Sequence, residues 1–152
     1  EEQYPIYTKS SDQDWIFIRY AEVLLNYAEA KNEASGPDPS VYDAINLIRQ
    51  RAGIPNLIAG LGQSEMRDKI RNERRIELAF EEHRFFDIRR WGIAENLLNG
   101  PLIGVKIEKV GDGIVYTRYE FETRSFPAKG YVFPIPLSEI EKNPAAKQIA
   151  GW

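Results

Sequence analysis

The chain has 152 residues, no cysteine and a formal net charge of −3 at pH 7. This length suffices for one domain with its own core, and the lack of cysteine excludes disulfides and thiolate metal sites. The slightly negative charge gives no electrostatic reason to expect nucleic acid as a partner, and no apolar run approaches the roughly 20 residues that cross a bilayer.

The first part of the chain predicts a pair of helices. Apolar residues at spacings of three and four predict a helix over about residues 16–34; they are Ile18, Ala21, Leu25 and Ala28. Asp38 is expected to cap a second helix, which ends near Gly53. The two helices form a hairpin of about 35 residues, close to the 34-residue tetratricopeptide unit.

A long helix is predicted from about residue 64 to residue 80, with a bend near His83, a continuation to Trp91 and an extension over residues 93–98. Four apolar side chains share an arc about 120° wide if each residue turns by 100°; they are Met66, Ile70, Ile76 and Phe80. This arc is expected to face the core, and Glu73, Glu77 and Arg84 are expected to project into the same arc. The helical part of the chain is therefore predicted over residues 16–98.

The apolar pattern changes from helix to strand after Pro101. Two segments rich in Val, Ile, Tyr and Phe flank a Gly-Asp-Gly turn, which predicts a β-hairpin over residues 102–122 with a bulge at the turn. Residues 126–152 are predicted to be extended and irregular, apart from one short helix. Ser138 and Glu141 would form a capping box for that helix.

Four separated stretches of the sequence carry a family resemblance. They are RYAEVLLNYAEAKNEA at residues 19–34, INLIRQRAGIP at 45–55, NERRIELAFEEHRFFDIRRWG at 72–92 and FPIPLSEIEKNP at 133–144. In order and spacing they resemble the C-terminal part of SusD/RagB proteins, the glycan-binding outer-membrane lipoproteins of Bacteroidetes-type bacteria. The resemblance implies a mainly α fold, in which tetratricopeptide-like helix pairs precede a β-hairpin and an irregular C-terminal segment.

The resemblance also implies a function. A SusD-like protein captures an oligosaccharide or another nutrient at the cell surface without catalysis, and delivers it to a TonB-dependent SusC-like transporter in the outer membrane. Residues 1–152 would be one C-terminal domain of a longer protein and would serve mainly as scaffold. The export signal and the lipid-acceptor cysteine of such a precursor are not in this chain, so its membrane contact would be an N-terminal lipid anchor outside it. The family's glycan-binding loops lie mostly outside this segment, so no carbohydrate-binding residue is assigned.

The stretch from Glu65 to Trp91 is predicted to form a structural ion-pair network. It holds eight basic and seven acidic residues, which nearly cancel and so disfavour nucleic-acid binding. Seven of them are assigned to the network: Glu73, Arg74, Glu77, Glu81, Arg84, Asp87 and Arg90. Arg74 is expected to pair with Glu77 from the same helix, and Arg49 or Arg51 to reach a carboxylate from the neighbouring helix.

Two other functions stay open. Glu73 and Glu77 lie four residues apart on one helix, with Cβ atoms about 5–6 Å apart, which resembles the carboxylate pair of a retaining glycoside hydrolase. The surrounding arginines favour a structural role, because they stabilise ionised carboxylates whereas a general acid needs a raised pKa. The other alternative is a tetratricopeptide-like adaptor that binds a protein partner. His83 is the only histidine and no metal motif surrounds it, so neither a metal nor a cofactor is predicted.

Aromatic side chains are the residues that a sugar site would need, because the apolar C–H faces of sugars stack on Tyr and Trp. Six candidates lie in predicted loops or on the predicted hairpin: Tyr4, Tyr7, Trp15, Tyr116, Tyr119 and Tyr131. Ordinary packing is the expected role of each of these six. Trp91 and Trp152 are predicted to be structural.

Overall fold

The computed structural model of this protein describes residues 16–152. Over that range the chain forms six α-helices and one two-stranded antiparallel sheet, which confirms the predicted fold class. The chain divides into two compact units, of which the first ends at Glu81 and the second begins at Glu82. The expectation of one domain over residues 1–152 stays a prediction.

The first unit is built from three helices. They are α1 (Tyr20–Ser35), α2 (Pro39–Arg51) and α3 (Gln63–Glu77). The Asp38 carboxylate accepts hydrogen bonds from the backbone N–H groups of Ser40 (2.9 Å) and Val41 (3.3 Å), which confirms the predicted cap of α2. The hydroxyl of Ser40 is the main cause that lowers the pKa of Asp38, so this cap is ionised at neutral pH.

The three helices pack around an aliphatic core. The core residues come from all three helices: Leu25, Ala28, Val41, Ile45, Met66 and Ile70. A reciprocal pair of hydrogen bonds fixes the C-terminal part of α1 to the start of α3. The Asn32 amide donates to the carbonyl of Gln63 (3.1 Å), and the Gln63 amide donates to the carbonyl of Asn32 (2.7 Å).

Helix α3 is shorter than predicted. It ends at Glu77, and a turn with two left-handed residues, Phe80 and Glu82 (both φ 64°), separates it from the next helix. Phe80 is therefore fully exposed, and its expected place in the core-facing arc is wrong. Ile76 is also exposed, because it lies about 100° around the helix from the side that buries Met66 and Ile70.

The second unit contains three short helices and the sheet. The elements are α4 (His83–Arg90), α5 (Ala94–Leu98), β1 (Gly100–Val110), β2 (Gly113–Arg124), a 3-10 turn (Ala128–Tyr131) and α6 (Leu137–Lys142). The hairpin confirms the prediction and extends beyond it at both ends of the strand pair. Its loop has two residues, and the positive φ of Gly111 (60°) at the first of them matches a type II′ turn.

The bulge lies at the end of the hairpin opposite to the predicted one. Leu102 faces Glu122 whereas Ile103 faces Glu120, so Phe121 is the extra residue. The prediction of a bulge at the turn is wrong because Gly111 already supplies the left-handed conformation that a two-residue turn needs.

The predicted capping box of the last helix is also wrong. Helix α6 begins at Leu137 with Pro136 at its N-cap, so Ser138 lies inside the first turn and no side chain caps the helix. The helix ends at Lys142, with Asn143 at its C-cap. The following tail is held by Gln148, whose side chain accepts from the backbone N–H of Ile135 (3.0 Å) and donates to its carbonyl (2.9 Å).

Gly130 packs directly against a buried ring. A methyl group at this position would lie 2.9 Å from two ring carbons of Phe126, which is buried with Ile88 and Ala94. We expect Gly130→Ala to lower the free energy of unfolding by about 2 kcal/mol, because the ring must leave its packed position. Thermal unfolding of the variant tests this. Gly113→Ala is the matched control, since its methyl group would meet nothing closer than 3.6 Å. Equal losses for the two variants would contradict the packing argument.

Candidate functional site

Three arginines converge on the carboxylates of α3 and of the turn that follows it. This arginine–glutamate cluster consists of Arg19, Arg49, Arg51, Glu73, Glu77 and Glu81. The side chains of Glu73 and Glu77 are only 8% and 10% exposed. Both lie on the side of α3 that buries Met66 and Ile70, because residues three or four apart share one face of a helix. The inward direction of the two carboxylates is therefore as predicted.

Arg49 joins three parts of the first unit. Its Nη1 donates to Oε2 of Glu73 at 2.7 Å, and its Nε donates to the carbonyl of Pro55 at 2.7 Å. One side chain of α2 thereby binds both α3 and the loop between the two helices. A buried carboxylate with such a charged donor costs far less than an unpaired one.

Glu77 is held by two arginines from different elements. Arg51 Nη2 donates to both carboxylate oxygens at 2.6 and 2.7 Å, and Arg19 Nη1 donates to Oε1 at 2.5 Å. Arg19 also donates to the backbone carbonyl of Glu77 and makes two hydrogen bonds to the carboxylate of Glu81, at 2.7 and 2.8 Å. The bond to Glu81, followed by that to Glu77, raises the pKa of Arg19 above its ordinary value although its burial acts the other way. Arg19 is therefore a permanent cation at the centre of this arrangement.

The cluster differs in its partners from the predicted network. Among the residues that the structure describes, the partners of Glu77 are Arg19 and Arg51 rather than the expected Arg74. Arg74 Nη1 instead donates to the side-chain oxygen of Asn26 on α1, at 2.7 Å. Arg19 was not among the predicted members, although it makes four hydrogen bonds within the cluster.

The other predicted network residues belong to the second unit. Arg90 Nε donates to Oδ1 of the buried Asp87 at 3.0 Å. The guanidinium groups of Arg84 and Arg90 lie 6.0 and 4.9 Å from the ring centroid of Trp91, within the range of a cation–π contact. The structural role of all seven network residues stays a prediction.

Arg89 is a contact residue that the sequence interpretation missed. Its guanidinium lies 3.5 Å from the ring centroid of Phe85, and its Nε donates to the carbonyl of Gly130 at 3.1 Å. The ring of Phe85 in turn stacks on that of Phe133 at 5.9 Å. The sequence did indicate this contact through the spacing of four between Phe85 and Arg89, since residues four apart are neighbours on a helix.

An apolar groove of about 340 Å³ lies beside the arginine–glutamate cluster. Its lining comes from α1, α2 and the residue before α1: Arg19, Tyr20, Ala21, Leu24, Leu47, Ile48 and Arg51. Both arginines already bind Glu77, and the remaining lining is aliphatic apart from one tyrosine. The groove can therefore accept apolar side chains, but it offers few groups that would orient a polar substrate.

The surroundings of Glu73 and Glu77 do not suit general acid catalysis, and the described residues hold no metal-binding group. Glu73 and Glu77 are both occupied by guanidinium donors, whereas a general acid sits in apolar surroundings that favour its protonated form. Within residues 16–152, no group of three or more His, Asp or Glu side chains is placed to hold a metal ion. His83 lies half-buried at the first position of α4. Over the same range, no helix has the length and apolarity to cross a membrane.

The predicted aromatic candidates separate into two kinds. Tyr131 packs edge-on against Phe126, and its hydroxyl accepts a hydrogen bond from the backbone N–H of Glu95 at 3.1 Å, so it is a packing residue. Tyr116 and Tyr119 are exposed on the hairpin. Trp152 donates from Nε1 to the carbonyl of Lys129, which ties the end of the chain to the 3-10 turn. Three candidates, Tyr4, Tyr7 and Trp15, lie outside the described residues.

Comparison with known sequences identifies relatives of this chain. A model of the SusD family matches residues 2–152. The chain is 43% identical over 142 residues to the SusD-like protein P2 of Formosa agariphila, a match that covers 89% of this chain and 25% of that protein. Another SusD-like protein of the same bacterium is 35% identical over 134 residues and is covered to 22% of its length.

Comparison with solved structures gives the same result for the fold. A SusD-like protein from Bacteroides fragilis superposes with a TM-score of 0.78 at 38% identity, covering 91% of this chain and 26% of that structure. A SusD-like carbohydrate-binding protein from the same species superposes with a TM-score of 0.69 at 34% identity, covering 84% and 27%. The chain spans about a quarter of the length of these relatives.

Proposed function

This chain belongs to the SusD family, and from that membership we propose that it is the C-terminal, mainly scaffolding part of a lipid-anchored protein at the surface of the outer membrane. The whole protein captures oligosaccharides or other nutrients and does not cleave them. It passes the captured ligand to a TonB-dependent SusC-like transporter.

Family membership is the observation that supports the proposed capture of glycans. The match to the family extends over almost the whole chain, and one relative of the same fold is a carbohydrate-binding protein. The scaffold role is supported by the arginine–glutamate cluster, in which every carboxylate accepts from at least one guanidinium and none is open for chemistry. Delivery to a transporter rests on family membership alone.

The two alternatives have less support. A glycoside hydrolase that uses Glu73 and Glu77 would need one protonated carboxyl group, whereas each of the two is bound by arginine. A tetratricopeptide-like adaptor would continue with further helix pairs, whereas this chain continues with a long hairpin after Leu98.

The test is a binding screen with product analysis. We expect the full-length gene product to bind at least one oligosaccharide from a broad panel in isothermal titration calorimetry, and to leave that oligosaccharide intact after overnight incubation. Failure to bind any member of the panel would contradict glycan capture. Cleavage that is lost in Glu73→Gln would favour the hydrolase instead. Copurification with a TonB-dependent transporter from outer membranes tests the proposed delivery step.

A further inference from the structure

The two faces of the β-hairpin differ in chemistry. The register pairs Gly104 with Tyr119 and Ile107 with Tyr116, so these two tyrosines project from opposite faces. One face, here called the aliphatic face, includes Ile103, Val105, Ile107, Ile114 and Tyr116. The other, here called the aromatic face, includes Gly104, Lys106, Glu108, Thr117, Tyr119 and Phe121. Both faces are exposed to solvent within the second unit.

A glycine allows two rings to approach the strand closely on the aromatic face. A methyl group at Gly104 would lie 3.3 Å from Cε1 and Cζ of Tyr119 and 3.4 Å from Cδ1 of Phe121. Glycine in a strand commonly marks such a close approach, because a side chain there would lift the rings away. Tyr119 and Phe121 are nevertheless 50% and 57% exposed, so each ring covers the strand on one side and faces water on the other.

Polar groups flank these rings on the same face. Thr117 lies directly opposite Lys106 in the register, two pairs along from Gly104 and Tyr119 and therefore on the same face. Lys106 Nζ forms an ion pair with Oε1 of Glu108 at 2.8 Å, and both side chains are exposed. A hydroxyl, an ammonium group and a carboxylate therefore stand beside an apolar platform of two rings, as hydrogen-bond donors and acceptors.

We propose that this aromatic face is a glycan-binding site for neutral oligosaccharides, an inference that rests on the proposed function. The C–H faces of the sugar stack on Tyr119 and Phe121, whose rings both approach Gly104. Sugar hydroxyls bond to Thr117 and to the Lys106–Glu108 pair. We assign neutral ligands because the Lys106–Glu108 pair, which would bond to the sugar, carries no net charge. The aliphatic face has only the isolated ring of Tyr116 and does not offer such a platform.

The experiment compares ring removal on the two faces in the full-length gene product. Calorimetric titration uses the neutral oligosaccharide that the wild-type protein binds most tightly in the panel. Tyr119→Leu and Phe121→Leu are each expected to weaken binding at least tenfold, because leucine still covers Gly104 but cannot stack on a sugar. Tyr119→Phe keeps the ring and is expected to stay within threefold of the wild-type affinity. Tyr116→Leu on the aliphatic face is the matched control and is expected to change the affinity less than twofold.

The outcomes separate this site from the proposed function. Wild-type affinity in both leucine variants, with binding by the unchanged protein intact, overturns the site and leaves glycan capture standing. Wild-type affinity in both leucine variants is also the result expected if another segment of the full-length protein covers the rings. An equal loss in Tyr116→Leu also overturns the site, because it shows a general effect of the hairpin. A protein that binds only charged glycans overturns the assignment to neutral ligands, and one that binds none contradicts the proposed function itself.

Discussion

Glu77→Gln is expected to lower the free energy of unfolding by about 3 kcal/mol. The substitution keeps the shape of the side chain but removes the negative charge that Arg19 and Arg51 share. Arg19 retains Glu81 as a partner, whereas the hydrogen bonds of both arginines to the buried carboxylate are weakened together. Urea unfolding of the purified variant measures the loss. The glycan affinity is expected to stay unchanged, because the arginine–glutamate cluster connects helices and is not part of the proposed ligand contact.

Glu33→Gln provides the matched control for this substitution. Glu33 also accepts two hydrogen bonds from one guanidinium, that of Arg67 at 2.6 and 2.5 Å, and that arginine is the main cause that lowers its pKa. This pair is exposed, so its removal is expected to cost less than about 1 kcal/mol. An equally small loss of stability for Glu77→Gln would show that burial does not increase the contribution of the cluster to the free energy of unfolding. A stable Glu77→Gln protein without glycan binding would contradict the scaffold role.

Two features that depend on local sequence were predicted correctly, the cap of α2 and the hairpin. The cap of α2 depends only on neighbouring residues, because the Asp38 carboxylate lies two and three residues before the backbone N–H groups that it accepts from. The hairpin follows in the same way from its alternation and its glycine turn. The end of α3 was missed because neither Phe80 nor Glu82 carries the glycine or asparagine signal of left-handed backbone. The helical pattern of apolar and charged residues continues through this turn, so the pattern alone does not indicate that the helix ends.

The partners in the cluster depend on packing between helices and were only partly predictable. Helical periodicity placed Glu73 and Glu77 inward, and this holds because α3 is regular up to Glu77. Arg19 was interpreted as part of the first helix, whereas it is the N-cap residue in extended conformation (φ −133°, ψ 159°). From that position its side chain reaches the end of α3, which no pattern within residues 16–34 indicates.

The aromatic face had a weak sequence signal. Gly104 interrupts a run of strand-forming residues, and an isolated glycine in a strand indicates a bulge or a close approach. The sequence does not indicate which ring covers it, because a shift of one residue in the register would exchange the two faces. The register places Tyr119 there, and the bulge at Phe121 re-aims the residues around it.

Ile45→Ala is expected to lower the free energy of unfolding by about 3–4 kcal/mol. Ile45 is fully buried in the middle of α2 and packs in one cluster with Ala28, Met66 and Ile70, so its truncation leaves a cavity that three helices must close. Leu47, two residues further along α2, is half exposed in the apolar groove. Leu47→Ala is therefore expected to lower the free energy of unfolding by less than about 1 kcal/mol. Chemical unfolding of the two variants tests the pair. Equal losses would contradict this account of the first unit, because they would mean that the groove side of α2 is as closely packed as its core side.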